Sequence, residues 1–302
     1  MDQHVMAFIA SSVEDWPYNR ATVAELWRHH LAAGLPNRHF VTEFTSGKRE
    51  RFFQRLWEML LARHLCAQGH ILKSPDNGPD FRFEHDGRVV WVEAISPEPR
   101  GLPSDWMQMP PPNTYRVSTV PHDEIALRWT AAFKEKFEKL KAYRSKGIVG
   151  NDDAYVIAIH GGQLGLIPLD CGVSRLPLAL ETVFPVGPLA IPFDRVTQKL
   201  GQAEVSLRFD IAKANGSTVP TTSFVDQTHA GVSAVIGFSR DHAIAPELSL
   251  HVVHNPFARV RVPFGVLGRS VEEWYGEPVG TEGVEIDLRK YEKPPESPVE
   301  NG

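Results

Sequence analysis

The stretch GPDFRFEHDGRVVWVEAI, residues 78–95, decides the fold of this chain. Two runs rich in β-branched and aromatic residues flank Asp86-Gly87, a dipeptide that favours a tight hairpin turn. Antiparallel pairing across that turn brings Asp80 and Glu93 opposite each other. The sequence therefore predicts a β-hairpin that carries two neighbouring carboxylates.

Patterns on either side of the hairpin predict the other elements of the core. An apolar helical pattern spans 46–68, with Ser46 as its N-cap, and 70–73 is predicted to be a short strand. After a proline-rich stretch, the patterns predict a helix over 124–144 and a strand over 154–159. The order is helix, three strands, helix, strand, which predicts an α/β fold with a mixed sheet.

The chain is predicted to contain four segments. Residues 1–45 form an N-terminal helical segment, 46–170 form the α-β-β-β-α-β core, and 171–289 form a C-terminal α+β extension packed on the core. Within the extension, 194–202 is predicted to be helical. The tail, 290–302, is polar and interrupted by prolines, so it is predicted to be disordered.

Composition excludes several classes of protein. Of 302 residues, 42% are hydrophobic and 23% are charged, which is typical of a soluble globular chain. No apolar run approaches the ~20 residues of a membrane helix, so we expect a cytoplasmic protein with no membrane partner. Two cysteines, Cys66 and Cys171, are too few for a disulfide framework or a cysteine-based zinc site. The net charge of −5 provides no overall basic field, so nucleic acid would have to bind a local basic patch.

The Asp80–Glu93 pair predicts a divalent cation. Two carboxylates at short distance repel each other, and both stay ionised only if a cation lies between them. Oxygen ligands of this kind suit Mg²⁺, with Mn²⁺ as the alternative. Glu93 also shares its strand face with Trp91 and Ile95, which makes it an unusual charge in an apolar row. The competing interpretation is an acidic hairpin rim that faces solvent.

Glu58 is a further candidate metal ligand. The helix over 46–68 is apolar on nearly every side, and a glutamate on such a helix needs a partner. A metal ion or a water bound to it is one such partner. A salt bridge to Arg55 or Arg63 is the alternative.

Lys136 interrupts the apolar stripe of the second core helix. Trp129 and Phe133 lie on that stripe at helical spacing. The Lys136 ammonium either enters the site, where it would support the attacking water or the scissile phosphate, or snorkels to the helix edge. Lys139 is predicted to be a solvated charge. From 128 to 146, seven basic residues stand against two acidic ones, which predicts a local positive surface.

This order of elements resembles the PD-(D/E)xK nuclease superfamily, which has the restriction-endonuclease-like fold. The resemblance rests on Gly-Pro-Asp-Phe at 78–81 and Val-Trp-Val-Glu-Ala-Ile at 90–95, and it covers about residues 46–160. The whole chain also looks like bacterial proteins that combine a Gly-Pro-Asp-Phe core with a C-terminal His254-Asn255-Pro256.

The resemblance implies a role for each candidate residue. Asp80 and Glu93 would be the metal-binding carboxylates, and Glu58 would match the first-helix glutamate that many members carry. The motif lysine of the family belongs two residues after the glutamate, where this chain has Ile95. Some members supply a lysine from the following helix, and Lys136 is the candidate for that role.

The function predicted from these residues is metal-dependent hydrolysis of phosphodiester bonds in nucleic acid, with DNA as the expected substrate. Asp80, Glu93 and Lys136 are the predicted catalytic residues, and Glu58, Asp80 and Glu93 are the predicted ligands of Mg²⁺. The alternatives are a catalytically inactive nuclease-fold module that binds nucleic acid or a protein, and a structural protein whose buried charges pair with one another. The oligomeric state is left open, with a homodimer among the alternatives.

Overall fold

A seven-stranded mixed sheet forms the centre of the fold, and helices pack on both of its faces. The computed structural model describes residues 2–12, 20–108, 111, 113–165, 171–238, 250–268, 271–278 and 286–292. The predicted α/β class and mixed sheet are confirmed. The finer assignment to the restriction-endonuclease-like core remains a prediction.

Four helices precede the sheet, and three of them lie in the predicted N-terminal helical segment. The four are α1 (Asp2–Ser12), α2 (Arg20–Ala32), α3 (Arg38–Phe44) and α4 (Arg49–Ala67). Aromatic packing joins α3 to α4, since the rings of Phe44 and Phe52 stack with centroids 5.1 Å apart. The N-terminal helices therefore belong to the same apolar core as α4.

The start of α4 differs from the prediction. Ser46 does not cap this helix, because its hydroxyl donates to the Glu43 carbonyl oxygen at 2.7 Å, at the end of α3. Lys48 takes the cap position and makes no side-chain capping hydrogen bond. The end of α4 follows the usual rule, since Gly69, just beyond it, adopts a φ of +91° that favours glycine.

The predicted hairpin is present. Strand β1 (Phe81–His85) pairs antiparallel with β2 (Arg88–Ile95), and Phe81 lies opposite Val92. Asp86 and Gly87 turn the chain with φ values of +48° and +73°, as a type I′ turn requires. The register carried one residue further places Asp80 opposite Glu93, as predicted.

The strand predicted over 70–73 is wrong. Only Lys73 pairs with the sheet, through an isolated bridge to Arg82, and Ile71 is 83% exposed. Pro75 follows closely and has no N–H to continue a ladder. Among the residues described between α4 and the next helix, two strands are therefore present where three were predicted.

The crossover from the hairpin to the middle of the sheet runs through one long helix. Helix α5 (His122–Ser145) leads to strand β3 (Ala154–His160), which lies parallel to β2 with Val92 opposite Val156. All seven residues of β3 are buried. Both elements lie close to their predicted bounds.

A series of short elements follows β3. They are α6 (Leu178–Val183), β4 (Val186–Ala190), β5 (Phe193–Asp194), β6 (Lys199–Leu200), β7 (Glu204–Leu207), β8 (Asp210–Ala212) and β9 (Thr218–Pro220). The helix predicted over 194–202 is wrong. The Asp194 carboxylate accepts from the Val196 and Thr197 backbone N–H groups at 2.8 and 3.1 Å, which forms a turn between β5 and β6. Among the residues described, no helix has the length and apolar character needed to cross a bilayer.

The C-terminal half completes the same sheet. Its strands are β10 (Ala234–Phe238), β11 (His251–His254), β12 (Glu272–Pro278) and β13 (Ile286–Lys290). The strand order is β1-β2-β3-β10-β11-β12-β13, and β10 pairs parallel with β3. The sheet is thus continuous across the predicted boundary between core and extension. Residues 293–302 of the predicted disordered tail lie outside the described residues.

Alternation along β2 separates the two apolar cores. Val92 and Ala94 belong to the core that contains α4, whereas Trp91 and Ile95 belong to the core that contains α5. Glu93 is on the α5 side by the same alternation. The candidate site therefore lies just before the start of β1, where β2 continues past it, between the two helices.

Candidate functional site

The open end of the β1–β2 hairpin holds the two predicted carboxylates. Asp80 immediately precedes β1, and its Oδ2 accepts from the Ala94 backbone N–H at 2.7 Å. Glu93 is 2% exposed on β2. The interpretation of this pair as a solvent-facing acidic rim therefore does not hold for Glu93.

Three side chains of α5 converge on the Glu93 carboxylate. Lys136 Nζ donates to Glu93 Oε1 at 2.8 Å, and Lys139 Nζ donates to the same oxygen at 3.1 Å. The Tyr143 hydroxyl donates to Glu93 Oε2 at 3.3 Å. Lys136 is only 5% exposed, so it points into the site and does not snorkel to the helix edge. A buried ion pair of this kind requires near-complete satisfaction of its charges.

The charges of the site stabilise the ammonium of Lys136. Burial alone would lower the pKa of Lys136, but the carboxylates of Glu93 and Asp80 outweigh it and raise that pKa above its usual value. Burial, together with the same two carboxylates, raises the pKa of the Tyr143 phenol. Lys136 is therefore a cation and Tyr143 a neutral hydrogen-bond donor at physiological pH.

The Asp80 carboxyl group is in the opposite situation. Burial raises its pKa well above the usual range, and the nearby carboxylates of Glu58 and Glu93 raise it further. Lys136 and the Ala94 N–H lower it only in part. The four predicted residues therefore lie close enough to interact. The carboxylates around Asp80 outweigh the nearby cation, so the ionised form of Asp80 is disfavoured.

Glu58 forms the salt bridge that the sequence left as an alternative. It is buried, and its Oε2 accepts from Arg55 at 2.6 Å while its Oε1 accepts from Gln54 Nε2 at 2.8 Å. Arg63 pairs with Glu25 instead, at 3.8 Å. Both carboxylate oxygens of Glu58 are thus engaged by protein donors.

Gln54 is a site residue that sequence reasoning missed. Its Nε2 donates to the Ala94 carbonyl at 3.1 Å and its Oε1 accepts from the Ser96 N–H at 2.9 Å. Together with the hydrogen bond from the Ala94 N–H to Asp80, these bonds satisfy backbone groups at the edge of β2 where β1 no longer pairs with it, before the start of β1. Gln54 precedes Glu58 by one helical turn on α4, and that spacing is the signal that could have found it.

Lys139 and Tyr143 were also missed as site residues. The side chain of Lys139 is 46% exposed, which agrees with the prediction of a solvated charge, but its ammonium also contacts Glu93, and that contact was not predicted. The Gly78 carbonyl lies 3.3 Å from the Tyr143 hydroxyl and competes with Glu93 for its one proton. Lys139 follows Lys136 by three residues and Tyr143 follows it by seven, and this spacing places the three side chains on one face of the helix. That spacing is the signal that could have identified them.

The fit of a divalent cation rests on two carboxylates. Within the described ranges, no group of three or more His, Cys, Asp and Glu side chains is arranged to hold a metal ion. Mg²⁺ commonly binds proteins through one or two carboxylates and keeps several waters. Asp80 and Glu93 supply two carboxylates, and the neighbouring carboxylates of Glu58 and Glu93 favour a cation at Asp80. Both oxygens of Glu93 already accept from Lys136, Lys139 and Tyr143, so a cation would have to displace part of this arrangement. Glu58 offers no uncommitted oxygen in this arrangement.

Asp80→Asn is expected to stabilise the protein at pH 8 in the absence of divalent ions. Asparagine retains an oxygen for the Ala94 N–H but has no charge, so the cost of burying a carboxylate and the repulsion from Glu58 and Glu93 both disappear. The folded pKa of Asp80 is raised, so this stability of the wild type is present below the unfolded pKa and is lost as pH rises through the folded pKa. We expect a gain in Tm of about 2–5 °C at pH 8 that disappears below about pH 4.

Calorimetry with EDTA across that pH range measures the effect. Asp86→Asn is the matched control, because Asp86 lies in the exposed hairpin turn and asparagine suits its positive φ. The Asp86→Asn variant should unfold near the wild-type temperature at each pH. A Tm gain for Asp80→Asn that stays constant with pH would contradict the proposed repulsion.

Comparisons with known proteins do not assign a function to this chain. No family model, no curated protein and no solved structure matches this chain. The resemblance to the PD-(D/E)xK superfamily therefore remains a prediction from the residues quoted above.

Proposed function

We propose that this protein is a magnesium-dependent phosphodiesterase that hydrolyses nucleic acid, with DNA as the expected substrate and Mn²⁺ as an alternative cofactor. The observation that carries the proposal is the buried Glu93–Lys136 pair, 2.8 Å between Oε1 and Nζ, beside the Asp80 carboxyl. Ionisable groups with strongly perturbed pKa values gather at functional sites. The proposal keeps the cytoplasmic location expected from the sequence.

Each residue has a defined part in the proposed reaction. Asp80 and Glu93 would hold the magnesium ion, which when bound supplies polarisation of the phosphate and a more acidic water. Lys136 places a fixed positive charge where it can donate to the attacking water or to a phosphate oxygen. Tyr143 and Lys139 hold the Glu93 carboxylate in place. Glu58 would act through a water, because Arg55 and Gln54 already occupy its oxygens.

Basic residues beside the site support nucleic acid as the partner. Arg128, Lys139 and Lys146 follow one another at intervals of eleven and seven residues on α5 and its C-cap, which places them on one side of the helix. Lys139 contacts Glu93, so this row runs past the site. Such a row can contact several phosphates of a nucleic acid, and its contribution to binding should weaken as salt increases.

A catalytically inactive binding module is the second candidate. The specific observation in its favour is that two lysines and a tyrosine already neutralise and bond to Glu93. A phosphodiesterase would have to release part of this arrangement when the cation binds. The inactive module would instead keep it and bind nucleic acid through the basic row alone.

A cleavage assay separates the two candidates. Purified protein with Mg²⁺ or Mn²⁺ should cut at least one of supercoiled plasmid, linear duplex, single-stranded DNA or RNA, and EDTA should stop the reaction. The cations should also raise the Tm of the wild type, by binding only the folded state, but not that of Asp80→Asn. Asp80→Asn should not cut, and the turn variant Asp86→Asn should cut as the wild type does.

Two results would count against the proposal. Binding of nucleic acid without cleavage, together with no rise in Tm on adding either cation, would favour the inactive module. Undiminished cleavage by Asp80→Asn would show that the reaction takes place elsewhere.

A further inference from the structure

A two-stranded arm projects from the body between α6 and β8. The arm comprises residues 186–209, in which β4 pairs with β7 and β5 pairs with β6. Every residue from 188 to 205 is exposed. Neither β4 nor β7 has a second strand beside it among the described residues, so the outer edges of the arm are open for pairing.

The arm concentrates the exposed apolar surface of the described chain. Twelve large hydrophobic residues are exposed, and eight of them lie on the arm. Their exposed fractions range from 39% to 92%. The eight are Leu189, Ile191, Phe193, Val196, Leu200, Val205, Leu207 and Phe209.

The size of this surface matches a protein interface. An aromatic side chain presents about 150–250 Å² and an aliphatic one somewhat less, so the eight together expose on the order of 800 Å². The largest apolar patch on a typical monomer is about 300–600 Å². A stable interface buries about 800 Å² on each partner. The arm can therefore supply one side of a standard interface by itself.

The charges of the arm fit a second copy of the same arm. It carries two acids, Asp194 and Glu204, and three bases, Arg195, Lys199 and Arg208. Arg208 pairs with Asp123 of α5 at 2.7 Å, which leaves Arg195 and Lys199 as the bases available to a partner. In the part of the chain that the structure describes, Arg195, Lys199 and Glu204 form no ion pair. A two-fold rotation can bring the acids of one such surface opposite the bases of its copy, whereas a surface with charges of one sign would repel its copy. A polyanion or an acidic membrane would instead require an excess of basic residues.

We propose that two copies of this protein form a two-fold symmetric dimer by packing their arms together. The apolar side chains of the two arms bury each other, and the open edges of β4 or β7 pair across the axis. This proposal does not depend on the phosphodiesterase activity, because the arm lies outside the Asp80–Glu93 site.

Analytical ultracentrifugation tests the proposal on the full chain. The wild type should sediment as a species of twice 33.8 kDa at micromolar concentration. Leu200→Glu combined with Leu207→Glu should weaken dimerisation by about 100-fold or more, because charges then enter the centre of the buried surface. Ile71→Glu is the matched control, since Ile71 is 83% exposed, against 71% for Leu200 and 70% for Leu207, and lies far from the arm in sequence. That variant should remain a dimer.

Hydrogen exchange of the wild type keeps the test valid if the double variant fails to fold. Amides of β4 and β7 should exchange more slowly at high protein concentration than at low concentration, while those of β8 and β9 should not change. A wild type that remains monomeric at about 50 µM, well above the Kd of a typical stable interface, would overturn the proposal. A folded double variant that remains a dimer would also overturn it. So would a monomeric wild type that sediments with phosphatidylglycerol vesicles when the double variant does not, because the arm would then bind a membrane.

Discussion

Glu93→Gln is expected to reduce metal-dependent cleavage by about 10³-fold or more. In the proposed function Glu93 both holds the cation and balances the charge of Lys136, and glutamine keeps its shape without its charge. The substitution also leaves the Lys136 ammonium buried with a weaker partner, so we expect the free energy of unfolding to fall by about 3 kcal/mol. Single-turnover cleavage and urea denaturation measure the two effects.

Glu84→Gln is the matched control for this prediction. Glu84 lies on the same hairpin, but its side chain is exposed and pairs only with Arg82 at the surface. That substitution should change neither cleavage nor stability beyond about 0.5 kcal/mol. If Glu93→Gln retained cleavage within tenfold of the wild type, Glu93 would not be a ligand of the catalytic cation.

The hairpin could be predicted from the sequence because its determinants are local. The Asp86-Gly87 dipeptide specifies the turn, and the turn specifies the register that places Asp80 opposite Glu93. The burial of Lys136 could also be predicted, since a single helical stripe shows it. In each case the residues that determine the structure lie within a short segment of the sequence, one hairpin or one helix.

The remaining contacts of the site could not be predicted because they join distant parts of the chain. Gln54 reaches Ala94 and Ser96 across forty residues or more, and nothing in the local pattern of α4 identifies those backbone partners. The contact of Lys139 with Glu93 depends on how closely α5 packs on β2. The short strand predicted over 70–73 failed for the same reason, since pairing with β1 is decided by tertiary geometry and not by β propensity.

Lys136→Met is expected to reduce cleavage by about 10²–10³-fold, the usual cost of removing one charged donor from a reacting centre. Methionine has a similar length and fills the same space, so the packing of α5 should change little. The Glu93 carboxylate then stays buried with Lys139 and Tyr143 as its remaining donors. We therefore expect a loss of stability of about 3 kcal/mol, because a buried carboxylate loses its nearest cation.

A double-mutant cycle shows whether Glu93 and Lys136 act as a pair. The variant that combines Glu93→Gln with Lys136→Met contains neither buried charge, so its loss of stability should be smaller than the sum of the two single losses by about 1–3 kcal/mol. Lys134→Met is the control on the exposed side of α5 and should change stability by less than about 0.5 kcal/mol. Additive losses in the cycle would mean that the two side chains contribute independently. The observed contact of 2.8 Å would then have no energetic role, and the site would lose the feature on which its proposed chemistry depends.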